Sequence, residues 1–287
     1  MIVFLNGEFV PEERAVVSVF DRSFLYGDGL FETMRICEGV PFRWAQHLAR
    51  LQRGAEFLKI QIPFSPMELQ EHASSLIRQN AMRNGILRLT LSRGIGQRGY
   101  TTRGADSPTL VMTLHPAPNL SSASWQRWKL ITSSLRVAAR DPIANFKTCN
   151  KLAPILARAE AEAAGADEAL LVNTDGLVAE GASSNVFWIQ AGVVFTPPLA
   201  AGALAGVTRA LVIELGESLG VSVREQTIPP VELPDADGVF LSLSSLAIVE
   251  AISLDGQPLR SSPLVQQFQA TYRSVIEREI KTAFDPA

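Results

Sequence analysis

Apolar and polar positions alternate with two clear periods along this chain, and the switches between them mark out its elements. A hairpin opens it: Ile2 to Leu5, a tight Asn6-Gly7 turn, then Glu8 to Val10. Strands follow at Leu30 to Ile36 and Ile86 to Ser92, the latter setting Leu87, Leu89 and Leu91 against Arg88, Thr90 and Ser92. Between them two stretches change to the helical period. The first puts Trp44, Leu48, Leu51, Ala55 and Leu58 on one stripe; the second opens Ser65-Pro-Met-Glu68, a capping box with proline at the first helical position. A strand at Thr109 to Leu114 closes this half, which reads as an α/β layer with helices on one side. The turn-forming run Pro116 to Ser124 predicts a linker. Expected boundaries are therefore residues 1–115, a linker 116–124, and 125–287.

In the second half a strand near Lys129 to Val137 precedes an alanine-rich helix that starts at Leu152 and stops at Gly165. Short strands then dominate: Glu168 to Asn173, an Asp175-Gly176 turn, Val186 to Ile189, Val193 to Thr196, Gly238 to Leu243 and Ala247 to Leu254. Many short strands linked by turns predict a sheet curling towards a barrel. One helix from about Thr208 to Gly220 turns Leu211, Leu215 and Leu219 inward. Another starts at Ser262-Pro263 and carries Val265, Phe268, Tyr272, Val275 and Ile276.

Bulk properties narrow the classes of function. With 287 residues, 47% hydrophobic, 19% charged and a net charge of −3, the chain has enough apolar material for two cores and no basic excess to suggest a nucleic-acid partner. Met1-Ile-Val-Phe-Leu-Asn-Gly lacks the basic start and long apolar run of a secretion signal, and no stretch approaches the ~18 apolar residues of a membrane span. The expectation is a cytoplasmic protein without membrane association. Cys37 and Cys149 form no CxxC and lie far apart, which speaks against a disulfide framework or a zinc site. Cys149, beside Lys147, reads as a small buried thiol, with proximity to a reactive centre as the alternative.

Chemistry concentrates in two segments, Asn145-Phe-Lys-Thr-Cys-Asn-Lys-Leu152 and Glu180-Gly-Ala-Ser-Ser-Asn-Val-Phe187. They set a lysine and a carboxylate on short loops of one fold unit. That pairing suits pyridoxal phosphate (PLP): a lysine amine can hold the aldehyde as a Schiff base, and an acid facing the pyridine nitrogen keeps it protonated. Gly202-Ala-Leu-Ala-Gly-Val-Thr-Arg209 leads into a helix, so the amides of Val207 and Thr208 with the threonine hydroxyl form an anion site. In Ser92-Arg-Gly-Ile-Gly-Gln-Arg-Gly-Tyr100 glycines free the backbone to turn, and Arg98 offers a planar fork for a carboxylate.

Spelled this way, nearly the whole chain resembles the class IV aminotransferases, the fold type IV PLP enzymes. The resemblance implies an α/β (α+β) two-domain fold, with an N-terminal α/β sandwich and a C-terminal pseudo-barrel. It aligns the catalytic lysine with Lys147 rather than Lys151, and the pyridine-nitrogen partner with Glu180. It places the phosphate on Arg50, Val207, Thr208, Ser244 and Ser245, and the substrate near Phe31, Arg98 and Tyr100. It also implies a homodimer and a small-molecule amine or amino-acid substrate. Where D-amino acid aminotransferases carry a histidine two residues after the loop arginine this chain has Tyr100, and where they carry a tyrosine in the N-terminal strand it has Phe31. The loop spelling instead looks like aminodeoxychorismate lyase, which releases pyruvate and 4-aminobenzoate. Lys147-Thr-Cys-Asn150 is closer to the aminotransferases that act on D- or branched-chain amino acids with 2-oxoglutarate, so both reactions stand as expectations.

Overall fold

The computed structural model describes residues 1–118, 120 and 125–284. Part of the expected linker, at 119 and 121–124, and the last residues of the expected second domain lie outside the described residues. The chain forms two compact units. The first holds Met1–Pro118, Phe146–Lys151 and the chain from Arg278; the second holds Asn119–Asn145 and Leu152–Glu277.

In the first unit a six-stranded antiparallel sheet combines β1 (Ile2–Leu5), β2 (Glu8–Pro11), β3 (Gly29–Cys37), β4 (Val40–Pro41), β5 (Gly85–Ser92) and β6 (Thr109–His115), in the order β2-β1-β6-β5-β3-β4. Asn6 and Gly7 both take positive φ, as a two-residue hairpin requires. Strand alternation decides the layers. Leu30, Met34 and Ile36 of β3, Leu87, Leu89 and Leu91 of β5, and Leu110, Met112 and Leu114 of β6 form one buried core with Leu48 and Leu51 of α2 (Trp44–Leu58) and Leu69, Ala73 and Leu76 of α3 (Pro66–Gln79). The helices therefore cover one face. Ser65 and Glu68 make the capping box, each side chain meeting the other's backbone N–H.

A short helix, α1 (Arg22–Tyr26), was not read from the sequence. Asp21 caps it by accepting from the Ser23 amide at 2.8 Å, and Gly27 ends it at φ +70°. Both signals stand in the sequence, but five residues are too few to show a helical period.

The second unit is a nine-stranded mixed sheet: β7 (Arg127–Val137), β8 (Glu168–Asn173), β9 (Val178–Gly181), β10 (Asn185–Gln190), β11 (Val193–Thr196), β12 (Val223–Glu225), β13 (Gly238–Leu243), β14 (Ala247–Leu254) and β15 (Gln257–Pro258). The main path runs β12-β11-β10-β13-β14-β7-β8-β9, with β15 on β14. Its last strand, β9, comes back beside β10, so the sheet curls as a half-barrel. β7 and β8 are parallel and are joined through α4 (Leu152–Ala163), whose Ala157 and Ala161 pack on Ala169 and Leu171. The core inside the curl gathers Trp128, Leu130, Leu170, Val186, Trp188, Leu241 and Val249. Helices α5 (Val207–Leu219) and α6 (Pro263–Phe284) complete the chain. Glu180, expected on a loop, sits in β9 opposite Leu171 of β8. The ladder was hidden because β9 spans four residues and starts two positions after the Asp175-Gly176 turn.

Gly94 leads into the loop that carries Arg98, at φ +87°, and a Cβ there would lie 1.8 Å from the Ser107 carbonyl oxygen. Gly94→Ala is expected to lower the melting temperature by at least ~3 °C; thermal denaturation followed by circular dichroism checks it.

Candidate active site

Lys147 belongs to the first unit because its backbone joins that sheet. The Phe31 amide donates to the Lys147 carbonyl at 2.9 Å, the Cys149 amide donates to Gly29 at 2.8 Å, and Leu30 bridges to Thr148. Gly54 makes room for this segment, and Gly29 for the neighbouring strand β5. A Cβ on Gly29 would stand 2.7 Å from the Leu91 carbonyl, and one on Gly54 would meet Leu30 at 3.0 Å and Phe146 at 3.5 Å. Phe146 also stacks on Phe57, with centroids 4.5 Å apart.

Phe31 points away from the helices, to the open face of the sheet. Lys147 Nζ lies 4.7 Å from its ring centroid and the Arg88 guanidinium lies 3.9 Å from it. Among the described residues Arg88 has no carboxylate partner within ion-pair range. Burial lowers its pKa, and only Cys149 opposes this. Burial likewise pushes the half-buried Cys149 thiol up, so it stays protonated.

Arg50 sits on the other face. It is 5% exposed, and its Nε and Nη2 donate to the two oxygens of Glu32 at 2.8 and 2.6 Å. His47 Nδ1 lies 2.6 Å from Glu32 Oε2. Burial alone would raise the Glu32 carboxyl; the bonds and charge of Arg50, then of His47, more than reverse it and lower it from 4.5 to about 2. An ionised carboxylate only accepts, so His47 Nδ1 carries a proton. Burial holds the His47 pKa below its ordinary value, so the ring is neutral around neutral pH. Glu32 and His47 were not singled out in the sequence. The available signal was a glutamate on the buried face of β3 and a histidine beside the buried stripe of α2.

The loop residues Arg98 and Tyr100 are exposed, Tyr100 at 89%. Their segment is held from α1, where Arg22 Nη1 donates to the carbonyls of Gly99 and Thr101, both at 3.0 Å, and the Gly99 amide donates to the Tyr26 hydroxyl at 3.0 Å.

The second unit holds the other expected residues. Glu180 Oε2 accepts from the Leu204 amide at 2.8 Å and from Asn185 Nδ2 at 3.3 Å. Asn185 Nδ2 also donates to the Leu204 carbonyl at 2.9 Å. The turn after Glu180 is fixed by buried Glu168, which accepts from the Ser183 amide and the hydroxyls of Ser183 and Ser184. Gly206, the N-cap of α5, has no side-chain cap, and a Cβ there would stand 2.0 Å from Asn185 Oδ1. The Thr208 and Ser244 hydroxyls are 3.4 Å apart at the start of that helix; Ser245 follows. The Ser242 hydroxyl is buried with no hydrogen-bond partner. Arg209 instead ties the helix to Glu225 and to the Pro197 carbonyl.

Each of these features, within its own unit, suits a part of PLP. An oriented carboxylate suits a pyridine nitrogen, an uncapped helix N-terminus flanked by hydroxyls suits a phosphate, and a lysine over an aromatic ring suits the aldehyde. Fold and donor chemistry together define a fold type IV PLP enzyme. Residues 29–254 match the family Amino-transferase class IV, and the chain belongs to that family. Pyridoxal 5′-phosphate is its cofactor. The chain is 36% identical over 262 residues to a protein of Methanocaldococcus jannaschii that is named, provisionally, a branched-chain-amino-acid aminotransferase, covering 91% of this chain and 90% of that one. It is 30% identical over 283 residues to the aminodeoxychorismate lyase of Bacillus subtilis, covering 97% and 96%. The crystal structure of the Escherichia coli branched-chain amino acid aminotransferase matches with a TM-score of 0.89 at 29% identity, covering 95% and 93%. D-alanine aminotransferases are also among its relatives. Among the described residues no helix is long and apolar enough to cross a membrane.

Two outcomes are expected at this site. Because the Glu32 and His47 pKa values are both depressed by folding, the stability they confer is present above their unfolded values and is lost as pH falls, for Glu32 between 4.5 and about 2. Urea titrations from pH 7 to 3 should show this loss, on the order of a few kcal/mol, shallower in Glu32→Gln. Borohydride reduction of the PLP-loaded protein should fix the cofactor on the peptide containing Lys147, read by mass spectrometry. Lys147→Ala should carry no label and lose at least ~10²-fold in activity.

Proposed function

We propose that this enzyme acts on an amine bearing two carboxylates, and that its reaction is release of pyruvate and 4-aminobenzoate from 4-amino-4-deoxychorismate. The carrying observation is Arg88, a half-buried guanidinium with no carboxylate partner among the described residues, over the same Phe31 ring as Lys147. Arg98 on the exposed loop adds a second fork. Two arginines suit a dicarboxylic amine better than alanine or leucine. Phe31, lacking a hydroxyl, offers a flat apolar wall to a six-membered ring.

When bound, PLP supplies an aldehyde for an amine and an electron-accepting ring. Lys147 holds the cofactor and, once the substrate amine has displaced it, moves a proton at Nζ. Glu180 keeps the pyridine nitrogen protonated, its own orientation fixed by Leu204 and Asn185. The amides of Val207 and Thr208 and the hydroxyls of Thr208, Ser244 and Ser245 bind the phosphate in this reading; the resemblance adds Arg50, whose Nε and Nη2 are engaged by Glu32. Phe31, Arg98 and Tyr100 meet the substrate. A homodimer is part of this reading; the exposed apolar side chains of Val16, Val19, Phe20 and Phe24 support it.

Aminotransfer is the second reading, favoured by the 36% identity to the archaeal protein; there glutamate and 2-oxoglutarate would be the dicarboxylic pair. One assay separates the two. The PLP-loaded enzyme is given enzymatically generated aminodeoxychorismate, and separately L-leucine or D-alanine with 2-oxoglutarate. Equal amounts of 4-aminobenzoate and pyruvate are expected from the first, with Arg88→Met raising its KM. Glutamate from the second, with no 4-aminobenzoate from the first, overturns the lyase.

A further inference from the structure

Arg98 and Tyr100 lie on a segment with little intrinsic order. Four glycines, Gly94, Gly96, Gly99 and Gly104, punctuate it, three of them at positive φ. Left alone, such a segment would lose backbone conformational entropy on engaging a ligand. What orders it comes from α1. Arg22 is 3% exposed, and through one nitrogen, Nη1, it donates to the carbonyls on either side of Tyr100. Its Nε donates to Asp28 Oδ2 at 2.8 Å. Its Cδ would lie 2.9 Å from a Cβ on Gly96, so the loop packs against the stem as well as the head of the side chain. Tyr26, one turn on, accepts from the Gly99 amide, lies 5.1 Å from the Arg22 guanidinium and meets the Tyr100 ring edge-on at 5.8 Å.

The clamp is anchored. Asp28 also receives two bonds from Arg93, at 2.8 and 3.0 Å, and Arg93 donates in turn to the carbonyls of Leu58 and Lys59 at the end of α2. A continuous set of hydrogen bonds therefore runs from the end of α2 through Arg93, Asp28 and Arg22 to Gly99 and Thr101.

We propose that Arg22 is a positioning residue for substrate recognition: by holding the backbone on both sides of Tyr100, it presets the Arg98 loop for the substrate carboxylate. The inference rests on the reading of Arg98 as a substrate residue. Preorganisation of this kind shows in binding rather than in the chemical step.

The test uses PLP-loaded enzyme, with aminodeoxychorismate as substrate, or L-leucine and 2-oxoglutarate if that is the pair turned over. Arg22→Met should keep wild-type PLP content and yellow colour, raise KM ~10-fold and leave kcat within ~2-fold, with Arg22→Lys recovering part of the loss. In an Arg98→Met background, Arg22→Met should add less than ~2-fold, because the fork for the substrate carboxylate is then gone. Trypsin should cut after Arg98 faster in Arg22→Met than in the wild type. Should Arg22→Met fail to fold, Tyr26→Phe, which removes only the acceptor of the Gly99 amide, should raise KM ~3-fold in the same cycle. An unchanged KM in Arg22→Met while Arg98→Met raises it overturns the proposal. So does an effect that multiplies fully with Arg98→Met, or PLP content that falls in step with activity. If Arg98→Met itself leaves KM unchanged, the reading of Arg98 fails; the clamp is then judged by trypsin, and unaltered cleavage in Arg22→Met refutes it.

Discussion

Everything else in the first unit depends on the backbone pairing of residues 146–151 with the start of β3. Two amide-to-carbonyl bonds and a bridge at Leu30 make a remote stretch of chain part of the sheet, so Lys147 is placed by main chain and not by its own flexible side chain. Gly54 makes room for it by carrying no Cβ where Leu30 and Phe146 come close, and Gly29 lets β3 start against Leu91 of β5. A strand whose first residue must be glycine is a weak strand by propensity. The gain is a fixed distance between the Lys147 carbonyl and the Phe31 amide, and with it a fixed reach for the amine.

The same sheet treats charge in opposite ways on its two faces. Towards the helices, Glu32 is compensated by Arg50 and His47 and lies almost fully buried. Such a network costs desolvation on every member and holds only because the bonds are short and direct. On the other side, the Arg88 guanidinium and Lys147 Nζ lie 3.9 and 4.7 Å from the centroid of the Phe31 ring, and for Arg88 this contact, worth ~0.5–2 kcal/mol, is well below the value of a carboxylate partner. A phenylalanine at position 31 holds the Arg88 guanidinium without neutralising it and brings Lys147 beside the same ring. That arrangement is stable enough to fold and leaves strong attraction for anionic groups of a ligand.

The architecture was legible where period and punctuation agreed. β5 and the β13–β14 pair lie within a residue of their expected ends, α2 spans its expected stripe, and α3 starts at its capping box. The short elements α1, β4, β9, β12 and β15 were not, since two to five residues cannot display a period and their pairing is decided by distant strands. At the site, Lys147, Glu180 and the Gly206-Val207-Thr208 start of α5 could be singled out because motif and chemistry coincide in one short run. Glu32, His47, Arg22 and Arg88 could not, because their partners lie up to 79 positions away. Two of them still left a trace: Glu32 falls between Leu30 and Met34 on the buried face of β3, and His47 and Arg50 keep step with Leu51 and Gly54 on α2. A charged residue in phase with an apolar stripe signals a buried partner somewhere, even when the sequence cannot say which.

The two kinds of placement explain how one scaffold serves relatives named for three different activities. In the proposed reading, the groups that handle the cofactor are set by elements that tolerate little change: a strand pairing for Lys147, a β-ladder and a backbone amide for Glu180, and a helix start for the phosphate donors. The groups proposed to meet the substrate stand mainly on an exposed glycine-rich loop, where a side chain can be exchanged without disturbing a core. Such a loop would evolve freely but bind poorly, because its disorder weakens every contact it makes. Anchoring it through Arg22 and Asp28 to the frame of the first unit removes that disorder while leaving Arg98 and Tyr100 outside the clamp. Specificity can then change at two positions while the order of the loop is maintained by others.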